Sequence, residues 1–216
     1  MADSEDKLEN VFWLGGSPCA GKSSISEIIA SRFGLDVCHV DETFEAHEQR
    51  CDPLRHPALT KWSKSSWNQR WMQPVESLVQ DVIACYREHF TLVLEDIFSL
   101  PRRKSLLVEG AALLPAQVAS VLSRQNRAIW LIPTADFQRT YYSRRDWVQG
   151  ILAQCSKPEE AFHNWMQRDI RFAQWIEAEA SATHLPFLRV DGDRTIEQNA
   201  EAVATHFQLL VHQSRG

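Results

Sequence analysis

Residues Gly16-Ser17-Pro18-Cys19-Ala20-Gly21-Lys22-Ser23 fit the pattern G-x-x-x-x-G-K-[ST], and their surroundings leave the chain few folds to adopt. The apolar run Val11-Phe12-Trp13-Leu14 before them reads as a strand. Ser24–Phe33 after them carries Ile25, Ile28, Ile29 and Phe33 at helical spacing. A strand, a glycine-rich turn and a helix in this order make a phosphate cradle. Glycines let backbone N–H groups curl around the anion, and the helix aims its positive dipole end at it. Lys22 would reach the β- and γ-phosphates of a nucleoside triphosphate, and the Ser23 hydroxyl would sit on Mg²⁺. Gly16, Ser17, Pro18, Cys19, Ala20, Gly21, Lys22, Ser23 and Ser24 are therefore the candidate nucleotide-binding residues.

The rest of the chain alternates strand and helix signals, which predicts a parallel sheet covered on both faces. Leu35–Val40 reads as the second strand, ending at Asp41. The stretch 43–73 has no clear period and holds Pro53, Pro57, Trp62, Trp67 and Trp71; it reads as an irregular insertion. A long helix follows over 75–98, stopped by Pro101. Two apolar runs end in acids, 92–96 and 106–109. The first continues the helical stripe, so the third strand is assigned to Ser105–Glu109, after a Pro-Arg-Arg-Lys loop. A helix near 115–124, a strand over 128–132 and Arg-rich helical sequence from 135 to 180, interrupted near Ser156-Lys157-Pro158, come next. The last strand, 187–190, ends at Asp191-Gly192, and Thr195-Ile196-Glu197-Gln198 forms a capping box that opens a final helix. With 216 residues, one α/β domain with elaborations is expected over 1–216.

Charge and cysteine usage narrow the function. A net charge of −5 argues against a general nucleic-acid-binding surface. No apolar run is long enough to span a bilayer, and the polar start Met1–Asn10 does not read as a signal peptide. The five cysteines are scattered, with neither zinc-site nor disulfide-framework spacing, which fits reduced thiols in a cytoplasmic protein. Cys19 lies near a helix N-terminus and a lysine, and both features lower a thiol pKa.

In an open parallel sheet, ligands bind beyond the carboxyl ends of the strands. The Gly16–Ser23 loop, Asp41, Glu109 and the Asp191-Gly192 turn all converge there. Asp41 is the candidate general base and, with Ser23, a candidate metal ligand; alternatively it caps a turn. Glu42 is its understudy, pointing the other way if the strand continues. Glu109 either serves Mg²⁺ through a water, binds an acceptor, or closes a turn. After the fourth strand, Arg139, Arg144 and Arg145 form a cluster that reads as a charge-stabilising lid or as a solvated helix face. Arg168 and Arg171, three apart, could join it. Trp13 and Trp130 lie in strands and read as core. Trp62, Trp67 and Trp71 would either pack the insertion or stack on a ring of the acceptor. No histidine pair has metal-ligand spacing.

These features together resemble the P-loop small-molecule kinases of the nucleoside- and nucleotide-kinase-like group. The resemblance rests on Gly16–Ser23, on Val40-Asp41-Glu42-Thr43-Phe44, on Val108-Glu109-Gly110 and on the Arg-rich segment. It implies a three-layer α/β sandwich whose five-stranded parallel sheet is ordered 2-3-1-4-5. It also implies a substrate-side insertion at 43–73 and a helical lid over 134–172. By the same resemblance Asp41 activates the acceptor, and Arg144 or Arg145 is a lid arginine. Asp191-Gly192 and the loop after it look like part of the adenine pocket. Trp67, Glu109 and Arg168, from their places along the chain, are the further candidate acceptor-binding residues. The activity implied is transfer of the γ-phosphoryl group of ATP, with Mg²⁺, to a hydroxyl of a small molecule such as a nucleoside, metabolite or antibiotic. A nucleotide-binding regulator or toxin-like protein acting on a macromolecular partner is the alternative. A guanine-reading N-K-x-D motif is absent, which argues against a Ras-like switch.

Overall fold

Strand β1 (Val11–Gly16) is buried along its whole length and has no charged side chain, as a strand covered on both faces must be. The computed structural model describes residues 8–101 and 105–209. With β2 (Asp36–His39), β3 (Leu106–Glu109), β4 (Ala128–Pro133) and β5 (Phe187–Val190), β1 forms a parallel sheet ordered β2-β3-β1-β4-β5. Trp13 at the centre lies opposite Val108 on one side and Ala128 on the other.

Alternation along the strands sorts their side chains into two cores. Phe12, Leu14, Leu107, Ile129 and Leu131 face one side. There they meet Ile25 and Ile29 of helix α1 (Lys22–Phe33), with Val203 and Phe207 from the end of the chain. Val11, Trp13, Val108, Trp130 and Ile132 face the other side, and Trp130 satisfies its indole N–H by donating to Leu113 O at 2.7 Å.

Between β2 and β3 the chain is more ordered than its sequence suggests. The second strand stops at His39, not Asp41. Helix α2 (Val40–Arg50) begins there, and Asp41 lies in its first turn beside Glu42, where acids complement the helix dipole. The segment 43–73 is not irregular either. It holds most of α2, then α3 (Pro57–Lys64) and α4 (Trp67–Trp71). The helical stripe of α2 runs Val40, Phe44, His47, and its last member is a buried polar residue held by His89 and Asp96, so an apolar count misses it. Pro57 sits in the first turn of α3, where proline starts a helix instead of breaking one. Ser66 and Gln69 form a capping box on α4.

Helix α5 (Val75–Ser99) packs Val82, Ile83 and Phe90 onto the second core. The arginines and lysine of the expected Pro-Arg-Arg-Lys loop lie outside the described residues, as do residues 1–7 of the polar start. The helix expected near 115–124 is only α6 (Pro115–Ala119), followed by a 3₁₀ turn at Gln125–Arg127. The Arg-rich region breaks twice, not once, into α7 (Ala135–Tyr142), α8 (Asp146–Leu152) and α9 (Pro158–Ala182). At the extra break Arg145 N–H turns back to Tyr142 O at 3.1 Å. Phe172 and Ile176 of α9 complete the second core. After β5, the Thr195/Gln198 capping box opens α10 (Ile196–His206). Two helices on one face and two long ones on the other make three layers. Among the described residues no helix is long and apolar enough to cross a membrane.

Candidate active site

The Gly16–Ser23 loop leaves β1 at the carboxyl edge of the sheet, and its conformation explains its glycines. Gly16 has φ 128°, and a Cβ there would lie 2.0 Å from Leu131 O. Gly21 has φ 79° and caps α1, with Ile196 against it. Cys19, between them, also holds a positive φ of 65°. Lys22 is buried, its Nζ donating to Ser17 O at 3.1 Å, while Ser17 Oγ donates to the backbone oxygen of Asp169 on α9 at 3.3 Å. Pro18 is half-buried, Ala20 buried, and Ser23 and Ser24 are exposed at the start of α1. The Cys19 thiol departs from expectation. Burial pushes it up to about 11, overriding the pull of Arg145 and Lys22, while Asp169 pushes the same way as burial.

Across from the loop, Asp41 Oδ1 accepts the Ala111 N–H at 3.3 Å, which ties the start of α2 to the turn after β3. Gly110 permits this approach, since a Cβ there would lie 2.7 Å from Val40 Cβ. Because Asp41 and Glu42 are helical neighbours, they diverge by a helical step and not to opposite strand faces. Glu109, by contrast, is buried at the end of β3. One oxygen takes His39 Nδ1 at 2.7 Å, and the other has no protein partner. It does not line the cavity described next.

That cavity, of about 590 Å³, has Asp41 in its wall. Helix α2 gives it Asp41, Phe44, Glu45 and Glu48, at helical positions that share one face. Opposite stand Trp62, Trp67, Trp71, Trp147 and Trp165. Trp71 stacks on Trp165 with centroids 4.3 Å apart. Arg70 is clamped between the Trp62 and Trp67 rings, 4.3 and 4.4 Å from their centroids, and donates to Trp62 O at 2.6 Å. Arg168 lies over Trp71 and pairs through Nε with Asp169 Oδ1 at 2.5 Å. Burial raises the Asp169 carboxyl, opposed by Arg168 and by the polar groups of Tyr142 and Trp165. Burial also raises Glu48, against the pull of Arg70, and lowers Arg70, against the pull of Glu48.

Of the candidate residues, Asp41, Trp67 and Arg168 thus meet at one cavity. Arg145 is half-buried between the Tyr142 and Trp147 rings, and its charge reaches Cys19 in the loop. Arg144 is exposed over Tyr141 and lines no part of the cavity, and Arg171 pairs with Glu76 at 3.0 Å. Gly192, with φ 99°, packs against Phe137, while Asp191 is exposed and accepts the Asp193 N–H at 3.0 Å. Among the described residues no group of three or more His, Cys, Asp or Glu side chains could hold a metal ion. Sequence reasoning passed over Glu45, Glu48, Arg70, Trp147 and Trp165. The Trp-x-x-Arg-Trp run at 67–71 was the one local sign of the clamp.

No family model matches the chain, and no curated protein matches it. Among solved structures it is similar to an uncharacterized protein from Eubacterium ventriosum ATCC 27560. That pair shares 10% identity over 92% of this chain and 97% of the other, with a TM-score of 0.43. It is also similar to a protein described as a "putative kinase" from Chloroflexus aurantiacus J-10-fl. There the identity is 14% over 91% of this chain and 97% of the other, with a TM-score of 0.40. Likenesses at this level establish neither family nor activity.

Proposed function

We propose that this protein is a P-loop kinase that moves the γ-phosphoryl group of ATP to a hydroxyl of a small molecule. One observation carries the reading. A loop built for phosphate and a tethered carboxylate, Asp41, lie at the same edge of the sheet, and that carboxylate lines an aromatic cavity. The loop residues fit a nucleotide: Gly16 and Gly21 take positive-φ conformations, and no side chain at Gly16 would fit against Leu131 O. Lys22 is held in reserve on Ser17 O and would exchange that carbonyl for phosphate oxygens. Magnesium bound with the nucleotide would neutralise phosphate charge, with Ser23 the residue to hold it while Asp41 serves as base.

Asp41 keeps one carboxylate oxygen free of the Ala111 contact. As the acceptor oxygen bonds to phosphorus, that free oxygen takes the hydroxyl proton. Arg145, already near the loop, is the lid arginine that would meet the transferring oxygens. Arg144 is not suited to this, because it faces solvent. Phe137 and Gly192 form the wall on which the adenine would rest. The test is ADP release with Mg·ATP against a pooled panel of hydroxyl compounds, with Lys22→Ala as control. Asp41→Asn is expected to lose at least a hundred-fold in turnover while keeping its nucleotide affinity. Wild-type turnover in Asp41→Asn would remove the base from this mechanism.

A further inference from the structure

The cavity lined by Asp41 also carries information about what fills it, given the kinase reading. Its α2 wall presents three carboxylates, Asp41, Glu45 and Glu48, along a single helix face, with Phe44 between them. Among the described residues none of the three is in an ion pair with a neighbouring side chain, although Arg70 stands near enough to Glu48 to pull on its carboxyl. The two arginines of the cavity do not offset this wall as free anion receptors would. Arg168 is drawn back toward Asp169, its Nε 2.5 Å from Asp169 Oδ1, and lies over Trp71, while Arg70 is fixed between two indoles with a hydrogen bond spent on Trp62 O. The remaining walls are mainly aromatic, with Val82, Cys85 and Ile151 among their residues. The Arg70 clamp shows that this chain already seats one cation against tryptophan faces in this cavity.

From this arrangement we infer that the phosphoryl acceptor is a hydroxylated organic amine, bound with its protonated nitrogen at Glu45 and Glu48. Four and seven residues along an α-helix correspond to about 6 and 10 Å, so the nitrogen lies about that far from the hydroxyl at Asp41. The ring or chain between them rests on the aromatic walls. Acceptors that carry phosphate or carboxylate are repelled by the same helix face, which sets the site against nucleoside monophosphates. In the transfer itself the acceptor O–H bond breaks as its oxygen bonds to the γ-phosphorus, and Asp41 takes the proton. The bond from phosphorus to the bridging oxygen breaks, and ADP leaves with that electron pair. The distal amine keeps its proton throughout. Glu45 and Glu48 therefore act on specificity and not on the reacting atoms.

The experiment uses the full chain with neamine and glucosamine, each paired with its N-acetylated form, and with adenosine monophosphate as the anionic control. Binding is read by tryptophan fluorescence without nucleotide, and turnover by ADP release with Mg·ATP. The amines are expected to bind at least ten-fold more tightly than their acetylated forms. Glu45→Gln and Glu48→Gln are each expected to raise the amine Kd and KM at least ten-fold, to erase most of that preference, and to keep wild-type affinity for ATP. The inference is overturned if acetylated or anionic compounds bind as well as the amines, if no amine binds, or if both substitutions leave amine affinity unchanged. A failure of the kinase reading looks different: amines bind with the stated preference, yet no acceptor-dependent ADP release disappears in Lys22→Ala.

Discussion

Lowering the pH from 7 to 5 is expected to remove about 2 kcal/mol of stability through His89 alone. This side chain is fully buried on α5, with Nε2 2.7 Å from His47 Nδ1; His47 Nε2 in turn lies 2.6 Å from Asp96 Oδ2. The Asp96 carboxylate can only accept, so His47 presents an N–H at Nε2, and a single hydrogen lies between His47 Nδ1 and His89 Nε2. His89 Nδ1 is buried and has no partner among the described residues. A second proton would create a charged N–H with no acceptor. Burial first, and the neighbouring His47 second, hold the His89 pKa at about 3 against an ordinary 6.5, with Asp96 pulling weakly the other way. A folded-state pKa below the unfolded one means that only the unfolded chain takes up this proton between pH 6.5 and about 3. Stability from this group is complete above pH 6.5 and falls by about 1.4 kcal/mol per pH unit below it. Urea denaturation at pH 5, 6, 7 and 8 would measure this in the wild type and in His89→Gln, whose amide can still donate to His47 but does not titrate. The variant is expected to start less stable and to lose about 2 kcal/mol less between pH 7 and 5. Parallel pH profiles for the two proteins would refute the argument.

Two further outcomes rest on the packing around the cavity and the loop. Trp71→Ala removes a buried ring stacked on Trp165 and should lower stability by about 3–5 kcal/mol in denaturant titration, whereas a loss below about 1 kcal/mol would mean the stack contributes little. The Cys19 thiol, pushed up from 9.0 to about 11, should react with iodoacetamide at pH 8 about a hundred-fold more slowly than a free thiol; labelling at the free-thiol rate would show that the loop opens to water.

What the sequence disclosed was what lies close along the chain. The Gly16–Ser23 loop is eight consecutive residues between a strand and a helix, so its glycine positions and charged ends are all visible together. The three central strands were legible because buried parallel strands are short apolar runs, and the edge strands by their place between helix signals, while the spatial order came from the resemblance and not from periodicity. Asp41 was found but set on the wrong element. Its helix hides an apolar stripe behind His47, whose burial depends on His89, more than forty positions away in the chain. The cavity was out of reach for the same reason. Its walls come from α2, α3, α4, α5, α8 and α9, and no window of sequence contains Glu48, Arg70 and Trp165 together. Nor could the odd behaviour of Cys19 be seen, because thiol acidity there turns on burial under α9 and not on the neighbouring lysine.

Helix α9 is a strut. Its 25 residues span about 37 Å, one half wedged into the sheet core by Phe172 and Ile176, the other fastened to the insertion by the Trp71–Trp165 stack. A rod gripped at two points cannot swing, so a closing motion has to come from elsewhere. The chain breaks on either side of α8, at Ser143–Arg145 and again before Pro158, which makes those seven residues a flap between two joints. Trp147, half-exposed on the flap, is then a built-in optical reporter of its position. We expect amide exchange to be faster in Asp146–Leu152 than in α9 and to slow when the cavity is filled. Uniform exchange across both helices would mean that ligands enter without any gate.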